Sequence, residues 1–490
     1  MAVSALITAA YIAFFPRPPQ PGASVIPVPV GAKDADPFPL EDPFAYKPER
    51  AEEMAESAAT GLAHPLYAYS PGGAIASAER TARWRPQIED AARQAGVDAD
   101  RLEGLVFLES AGRPDAMTSY GIKGAVGLSQ ILAETGTNLL GMRVDTGASA
   151  KLTRQIRRSL RGGRHRLARR LQAERRLADE RFDPHKSLQA TARYLTLARE
   201  HFGREDFAFV SYHMGIGNLE GVLRAYSGRS DGLIADVVAQ AQLDWTRVYF
   251  DSTPRSHRRA QRLLSSFGDD SSNYFWKVEA ARDVMRLWRE DPERLARLAR
   301  LQTNKASSEE VLHPPETTPR FQTAQELRTA WVLEELLPVP NDPAGTGLRP
   351  DQQMGELAPR IHQPKALYRG LRPEALALAL YLGAQVRAIE RGGSLTMTST
   401  VRDQHYQDRL TRSNHEATHG YSLHTTGWAF DVLRAYRSNR QAQAFQWHLD
   451  RLSVLGVIAW VREPAAIHVT VAEDARALLP LLERIEDRES

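Results

Sequence analysis

The sequence predicts a multidomain protein in which an all-α domain precedes a small α+β domain. Three observations carry this prediction. The chain has 490 residues, more than one ordinary hydrophobic core serves. From about residue 50 to residue 301 apolar residues recur at helical spacing. Beyond residue 366 one long helical stretch is followed by short β-type runs, the composition of a small sheet with helices beside it. An apolar content of 42% and a charged content of 25% belong to a globular protein. There is no cysteine, which excludes disulfides, cysteine-ligated zinc and thiol chemistry. The net charge of +3 is a small cationic excess that favours an anionic partner such as nucleic acid, a membrane surface or an anionic polymer.

The chain begins with an apolar, uncharged run from Ala2 to Phe15. It is shorter than the roughly 20 residues of a spanning helix. It also lacks a basic start and a small-x-small cleavage site. A short membrane anchor, an atypical signal peptide and a buried helix all fit residues 1–15. The Pro-rich run Pro16-Arg17-Pro18-Pro19-Gln20-Pro21 favours an anchor leading into a tether. The expectation is therefore an extracytoplasmic protein associated with a membrane through its N-terminus. Residues 16–77 read as a Pro-rich spacer and linker, with a helical stretch from Arg50 that breaks at Pro65 and at Pro71-Gly72-Gly73. Pro86 starts or kinks the next helix, and Asp98 or Asp100 caps the one after it.

That following helix carries the first candidate site. Leu102, Leu105, Val106 and Glu109 share one helix face, so a carboxylate sits on the side meant for the core. Burial raises a carboxyl pKa, as a general acid working near neutral pH requires. The plain alternative is a helix-end Glu that turns to solvent. Arg113-Pro114-Asp115-Ala116 stops the helix, and the glycine-spaced block Gly124-Ala125-Val126-Gly127-Leu128-Ser129-Gln130 follows. Between residues 151 and 181 stand twelve Lys or Arg against three acids, Glu174, Asp179 and Glu180, with Gly162-Gly163 dividing the stretch into two helices. It reads either as a contact surface for an anionic polymer or as an inserted hairpin with a solvated Arg-rich face. Without interleaved aromatics it offers bases no stacking platform, so no specific nucleic acid partner is expected. Helical pieces continue to Leu301, residues 302–365 are punctuated by Pro and Gly as a connection between domains, and residues 477–490 form a terminal helix or tail.

The blocks Glu109-Ser110, Pro114-Asp115-Ala116 and Gly124 to Gln130, with Tyr212-His213-Met214-Gly215 far downstream, resemble the lytic transglycosylase family of the soluble, goose-lysozyme-like type. The last block departs from the family, with His213 where Asn is usual and Met214 where Ala is usual. The resemblance implies a lysozyme-like helical fold over residues 78–301. It implies peptidoglycan glycan strands as substrate and cleavage of the β-1,4 bond between N-acetylmuramic acid and N-acetylglucosamine to a 1,6-anhydro product. Glu109 would be acid and then base, Ser110 would orient it, and Gln130, Tyr212 and His213 would line the groove. The domain would need no cofactor.

The second domain, residues 366–476, carries Ser422-Leu423-His424-Thr425-Thr426-Gly427-Trp428-Ala429-Phe430-Asp431. Alternation puts Ala429 and Asp431 on one face of a strand and Trp428 and Phe430 on the other. In Ile467 to Val471, His468 alternates with apolar residues in the same way. Two His and one Asp from separate segments can thus meet on one sheet face, a donor set suited to a catalytic metal with an open position. This resembles the zinc peptidases of the D-Ala-D-Ala carboxypeptidase, lysostaphin and hedgehog group. The resemblance implies Zn2+ held by His424, Asp431 and His468, stem peptides as partners, and Arg402 of Ser399 to Arg402 helping to bind a peptide carboxylate. The group's general base departs: Ala465 and Ala466 stand where Glu or His is usual, and Glu463 is the nearest carboxylate. The run His415-Glu416-Ala417-Thr418-His419 spells a second metal motif, but Asn414 and Gly420 leave too short a helix to project both His from one face. The competing reading of the whole chain is a non-catalytic wall-binding scaffold with degenerate enzyme domains.

Overall fold

The computed structural model describes residues 24–25, 42–268, 270–303, 307–340, 346–412, 418 and 420–483. The apolar N-terminal run, residues 16–23 and 26–41 of the Pro-rich spacer, and His415, Glu416, Ala417 and His419 lie outside the described residues. The chain divides into two compact units, one holding Tyr46–Thr303 and the other Asn304–Ser490. Most described residues are helical, with one small mixed sheet. Among the described residues no helix is long and apolar enough to cross a membrane.

Among the described residues the first unit has helices and no strand apart from isolated bridges. Helices Ala51–Gly61, His64–Tyr69, Ala74–Ala82 and Arg85–Ala95 lead in, and Pro65 and Pro86 stand in the first turns of theirs, where a missing N–H costs nothing. Helix α1 (Ala99–Ser110) follows, and its cap is Asp98, whose side chain accepts from the Arg101 N–H at 2.8 Å. Asp100 instead faces Arg85 and Arg289. Helices α2 (Thr146–Arg161) and α3 (His165–Ala178) form the basic hairpin, parted at Gly162-Gly163. Helix α6 (Tyr274–Glu290) packs along α1, and helices α4 (Pro184–Phe202) and α5 (Glu205–Met214) pair with each other, α5 also lying against α6. The α1–α6 pair is the axis of the unit. Leu102, Leu105 and Val106 are fully buried, as are Tyr274, Val278 and Ala281. Each large apolar side chain so buried contributes about 2 kcal/mol. Gly104 is what lets the two helices meet: a Cβ there would stand 2.6 Å from the Val278 carbonyl oxygen and 2.8 Å from the Arg282 nitrogen.

In the second unit a five-stranded sheet is covered on one face by two helices. The strands are β1 (Leu348–Pro350), β2 (Leu395–Ser399), β3 (Ala429–Leu433), β4 (Ile458–Arg462) and β5 (Ala466–Val471), in the order β1-β2-β3-β5-β4. Only β1–β2 is parallel. Strands β3 and β5 fall where period-two alternation places Asp431 and His468, and helix α8 (Pro373–Glu390) is the long helical stretch expected before the β-type runs. Helix α8 and helix α9 (Asn439–Val454) bury Leu376, Leu380, Phe445 and Leu449 against Phe430, Val432, Ile467, Val469 and Val471. The expected connection, residues 302–365, belongs almost wholly to this unit instead, from residue 307 on among the described residues. It supplies edge strand β1, the strand Leu337–Pro338 paired with Gly370–Leu371, and helix α7 (Ser308–Leu312). Pro and Gly there mark tight turns inside a packed segment.

Candidate functional site

Glu109 lies in the last turn of α1, which ends at Ala111 in a left-handed conformation (φ 53°). The residue keeps part of its surface, but its carboxyl is surrounded by protein. Burial raises its pKa to about 7, and one hydrogen bond opposes that rise. The donor is Tyr274 of α6, whose hydroxyl stands 2.6 Å from Glu109 Oε1. The Tyr274 ring is stacked on His213, with centroids 5.0 Å apart, and lies nearly parallel to Tyr212 at 6.5 Å. His213 in turn bonds through Nδ1 to Ser271 Oγ at 2.9 Å. A small hollow beside Glu109 is lined by Leu66, Tyr69, Pro71, Phe107 and Leu108. Tyr69 there is 49% exposed.

The glycine block is a loop pinned from below. Gln130 folds its amide back, donating to the Gly127 and Ala116 carbonyls at 2.9 and 3.3 Å, with φ 51°. Tyr212 donates to the Ser129 carbonyl at 2.8 Å. Arg181 is fully buried, paired with Asp179 at 2.9 Å, and donates to the carbonyls of Ile122, Gly124 and Ile131. Gly127 (φ 86°) lies so close to the Arg181 backbone that a Cβ would meet its carbonyl oxygen at 1.8 Å. Arg175, also buried, pairs with Asp115 and covers the Phe182 ring at 3.7 Å. Two of the twelve basic residues of the hairpin are thus internal clamps on the loop. Nine others, Lys151 and eight Arg between 154 and 170, are exposed.

Among the residues singled out in sequence, Glu109, Tyr212 and His213 come together around Tyr274. Ser110 does not orient Glu109: its hydroxyl donates to the Val106 carbonyl at 3.2 Å, the usual return bond of a helical serine. Tyr274 takes that part, and sequence spacing could not reveal it, because it lies 165 residues from its partner. Its signal is weak: an aromatic Tyr274-Phe275-Trp276 cluster opening an amphipathic helix.

In the second unit, β3–β5 register sets Asp431 opposite His468, and β2–β3 register sets Ser399 opposite Asp431. His424 arrives from the turn Leu423–Thr426 just before β3. His424, Asp431 and His468 bring one donor atom each within 4.8 Å of one another and could hold a metal ion. His424 Nδ1 meets the Thr400 carbonyl at 2.8 Å, so it must carry a proton, and Nε2 faces Asp431 Oδ2 at 3.2 Å. Burial and Arg402 lower the His424 pKa to about 4, leaving the imidazole neutral. Two acceptors then face each other in a buried place, an arrangement that a cation between them resolves. The residues therefore fit a metal. Burial works against the charge on Asp431, yet His468 holds its pKa well below the usual range. His468 Nδ1 stands 2.8 Å from Asp431 Oδ1. For His468 burial is outweighed by the carboxylates of Glu309 and Asp431, which raise its pKa to about 9. Arg402 is occupied: it donates to Ser399 Oγ at 2.6 Å and Gln407 Oε1 at 2.9 Å, and stands 3.5 Å from Asp431. Ala465 is exposed in the β4–β5 turn and Ala466 opens β5.

Compared with models of known protein families the chain matches none, and no curated protein matches it in sequence, so the functional reading rests on the residues and geometry of its two sites.

Proposed function

We propose that the chain is a peptidoglycan lytic transglycosylase with a zinc-binding second unit that acts on or holds stem peptides. The observation that carries this is the state of Glu109: a carboxyl raised to about pKa 7 by burial, with one hydroxyl donor on it, while Asp115, the acid of the next block, is taken up by Arg175. Ordinary glycosidases need a second carboxylate about 5–10 Å away, either as nucleophile or as base on water. A lone acid suits a reaction in which the same group first protonates the glycosidic oxygen and then takes a proton from the substrate's own C6 hydroxyl, giving the 1,6-anhydro sugar. Tyr274 holds the carboxyl in one orientation through both steps. Tyr69 offers an exposed ring beside it, the kind of surface on which a sugar face rests.

In the second unit His424, Asp431 and His468 would hold the zinc. When bound, such an ion activates a water molecule or polarises a carbonyl. Arg402 sits against Asp431 and adds positive charge where a peptide carboxylate would approach. Ala465 and Ala466 carry no acid–base group and Glu463 is displaced from the position usual for a general base, which supports holding of the peptide over cutting in this unit, and keeps the wall-binding scaffold as the second reading. The exposed Lys and Arg of the α2–α3 hairpin suit contact with anionic wall polymers. An extracytoplasmic place, with membrane association through the N-terminus, follows from this substrate.

The test is digestion of purified peptidoglycan by wild type and Glu109→Gln, with products read by mass spectrometry. Anhydro-muropeptides from the wild type alone are expected. Binding of both proteins without release of any product sinks the transglycosylase reading in favour of the scaffold.

A further inference from the structure

Glu463 is the carboxylate of the β4–β5 turn, and a second one, Glu309, stands against His468 from another segment. Glu309 comes from α7, in the segment that precedes the sheet domain in sequence. It is buried, at 8% exposure, and its Oε1 stands 3.4 Å from His468 Nε2. Thr470, two residues along β5, donates its hydroxyl to the same oxygen at 3.1 Å. The segment is firmly seated. His313 Nε2 meets the Val471 carbonyl at 2.6 Å, and its ring stacks on Trp428 at 4.8 Å. Tyr421 donates to the His313 carbonyl at 2.9 Å, and the Phe321 N–H donates to the Thr425 carbonyl at 2.7 Å. These bonds tie the strap to β5 and to the turn that carries His424.

The two nitrogens of His468 therefore have different partners. Nδ1 faces Asp431 and the centre of the triad, and Nε2 faces Glu309 on the opposite edge of the ring. A metal-ligating imidazole has one nitrogen for the ion and one N–H to place, and that second contact sets both its tautomer and its angle. We propose that Glu309 is the positioning residue of this metal centre: it accepts the Nε2 proton of His468 and so presents Nδ1 to the ion. This rests on the reading of His424, Asp431 and His468 as metal ligands. His424 is positioned in the same sense by the Thr400 carbonyl at its Nδ1, so each histidine ligand has its own acceptor. Glu309 does not replace the base missing at Ala465 and Ala466. The imidazole ring stands between it and the triad's centre, so its carboxylate does not reach a water molecule held there. The metal centre is thereby completed by a segment outside the run of sequence that carries its ligands.

The experiment is zinc binding by the full chain, measured by competition with a chromophoric chelator, for wild type, Glu309→Ala, Glu309→Gln and Thr470→Val. Glu310→Gln, the neighbour on α7, is the control, and circular dichroism checks the fold of each. Loss of an outer carboxylate of this kind weakens metal binding about 10–100-fold. Glu309→Ala is expected to do so, Glu309→Gln and Thr470→Val to do so less, and Glu310→Gln to change nothing. Nitrogen-15 spectra of histidine-labelled, zinc-loaded protein should show His468 protonated at Nε2 in the wild type and a mixture of ring states in Glu309→Ala, which a merely structural role would not produce. Unchanged affinity in a folded Glu309→Ala overturns the proposal and leaves the metal reading standing. Tighter binding in that variant also overturns it, since Glu309 would then compete with the ion. No zinc binding by the wild type overturns both.

Discussion

The two sites reach their chemistry by opposite physical routes. Glu109 is an isolated group whose pKa is moved by loss of water, with a single hydroxyl opposing. The triad of the second unit is a crowd of charges in which burial is overruled by neighbours, so that Asp431 stays ionised and two histidines differ from each other. An isolated buried carboxyl is suited to give and take one proton. A cluster of donors that face one another is suited to hold a cation. The comparison teaches that burial alone does not assign a role; the sign and number of charges around the buried group do.

The largest effects should come from separating the two sites. Glu109→Gln should lower glycan cleavage by about 10²–10⁴-fold, the usual contribution of a positioned acid or base, and leave zinc affinity unchanged. His424→Ala should abolish zinc binding and leave anhydro-product release intact. If either variant impairs both properties in a folded protein, the independence of the two sites fails.

A smaller effect concerns stability. The Glu109 carboxyl goes from an ordinary 4.5 to about 7 in the fold, a difference of roughly 3 kcal/mol. The side chain keeps part of its surface in water, so about 2 kcal/mol is the fairer figure. Because the folded pKa is the higher one, this stability is fully present below about pH 4.5 and is lost as the pH rises through about 7. Glu109→Gln, which cannot ionise, should therefore be more stable than wild type by about 2 kcal/mol at pH 8 and match it near pH 4 in denaturant titrations. Equal stabilities at pH 8 would mean that the carboxyl is better solvated than its surroundings suggest.

The mildest variant sharpens the comparison from the other side. Tyr274→Phe keeps the ring stacked on His213 and removes the one bond that lowers the Glu109 pKa. The alkaline limb of the pH–rate profile should move to higher pH, with a rate loss of about tenfold from looser orientation. An unmoved limb would show that Tyr274 does not act on the Glu109 carboxyl. The corresponding outer-residue test on the triad, Glu309→Ala, acts on metal affinity and not on glycan cleavage.

Much of this was legible in the residues. The helical period through Leu102, Leu105, Val106 and Glu109 placed a carboxylate at the edge of a core, and strict alternation in Ala429 to Leu433 and Ile467 to Val471 placed Asp431 and His468 on the face away from Phe430 and Val469. Such readings work because helix and strand periods depend only on the backbone and on which side chains avoid water. Helix starts were legible for the same local reason, at Pro86 and Asp98. Legible too was the division of the basic stretch at Gly162-Gly163, though not that Arg175 and Arg181 turn inward to clamp the glycine loop.

What local periods do not encode is partnership across the chain. The Tyr274 hydroxyl on Glu109, the Glu309 carboxylate on His468 and the Arg181 guanidinium on the Gly124 and Ile131 carbonyls all join segments whose separation in sequence carries no spacing signal. The same holds for the run 302–365, whose Pro and Gly read as a connection and which packs as strap, edge strand and turn of the second unit. Sequence by itself determined the mostly helical first unit, the small sheet of the second, and which side chains could do chemistry. Tertiary structure alone decided which groups hold them, because hydrogen-bond partners are chosen by distance in space, and desolvation depends on every element that closes over a residue.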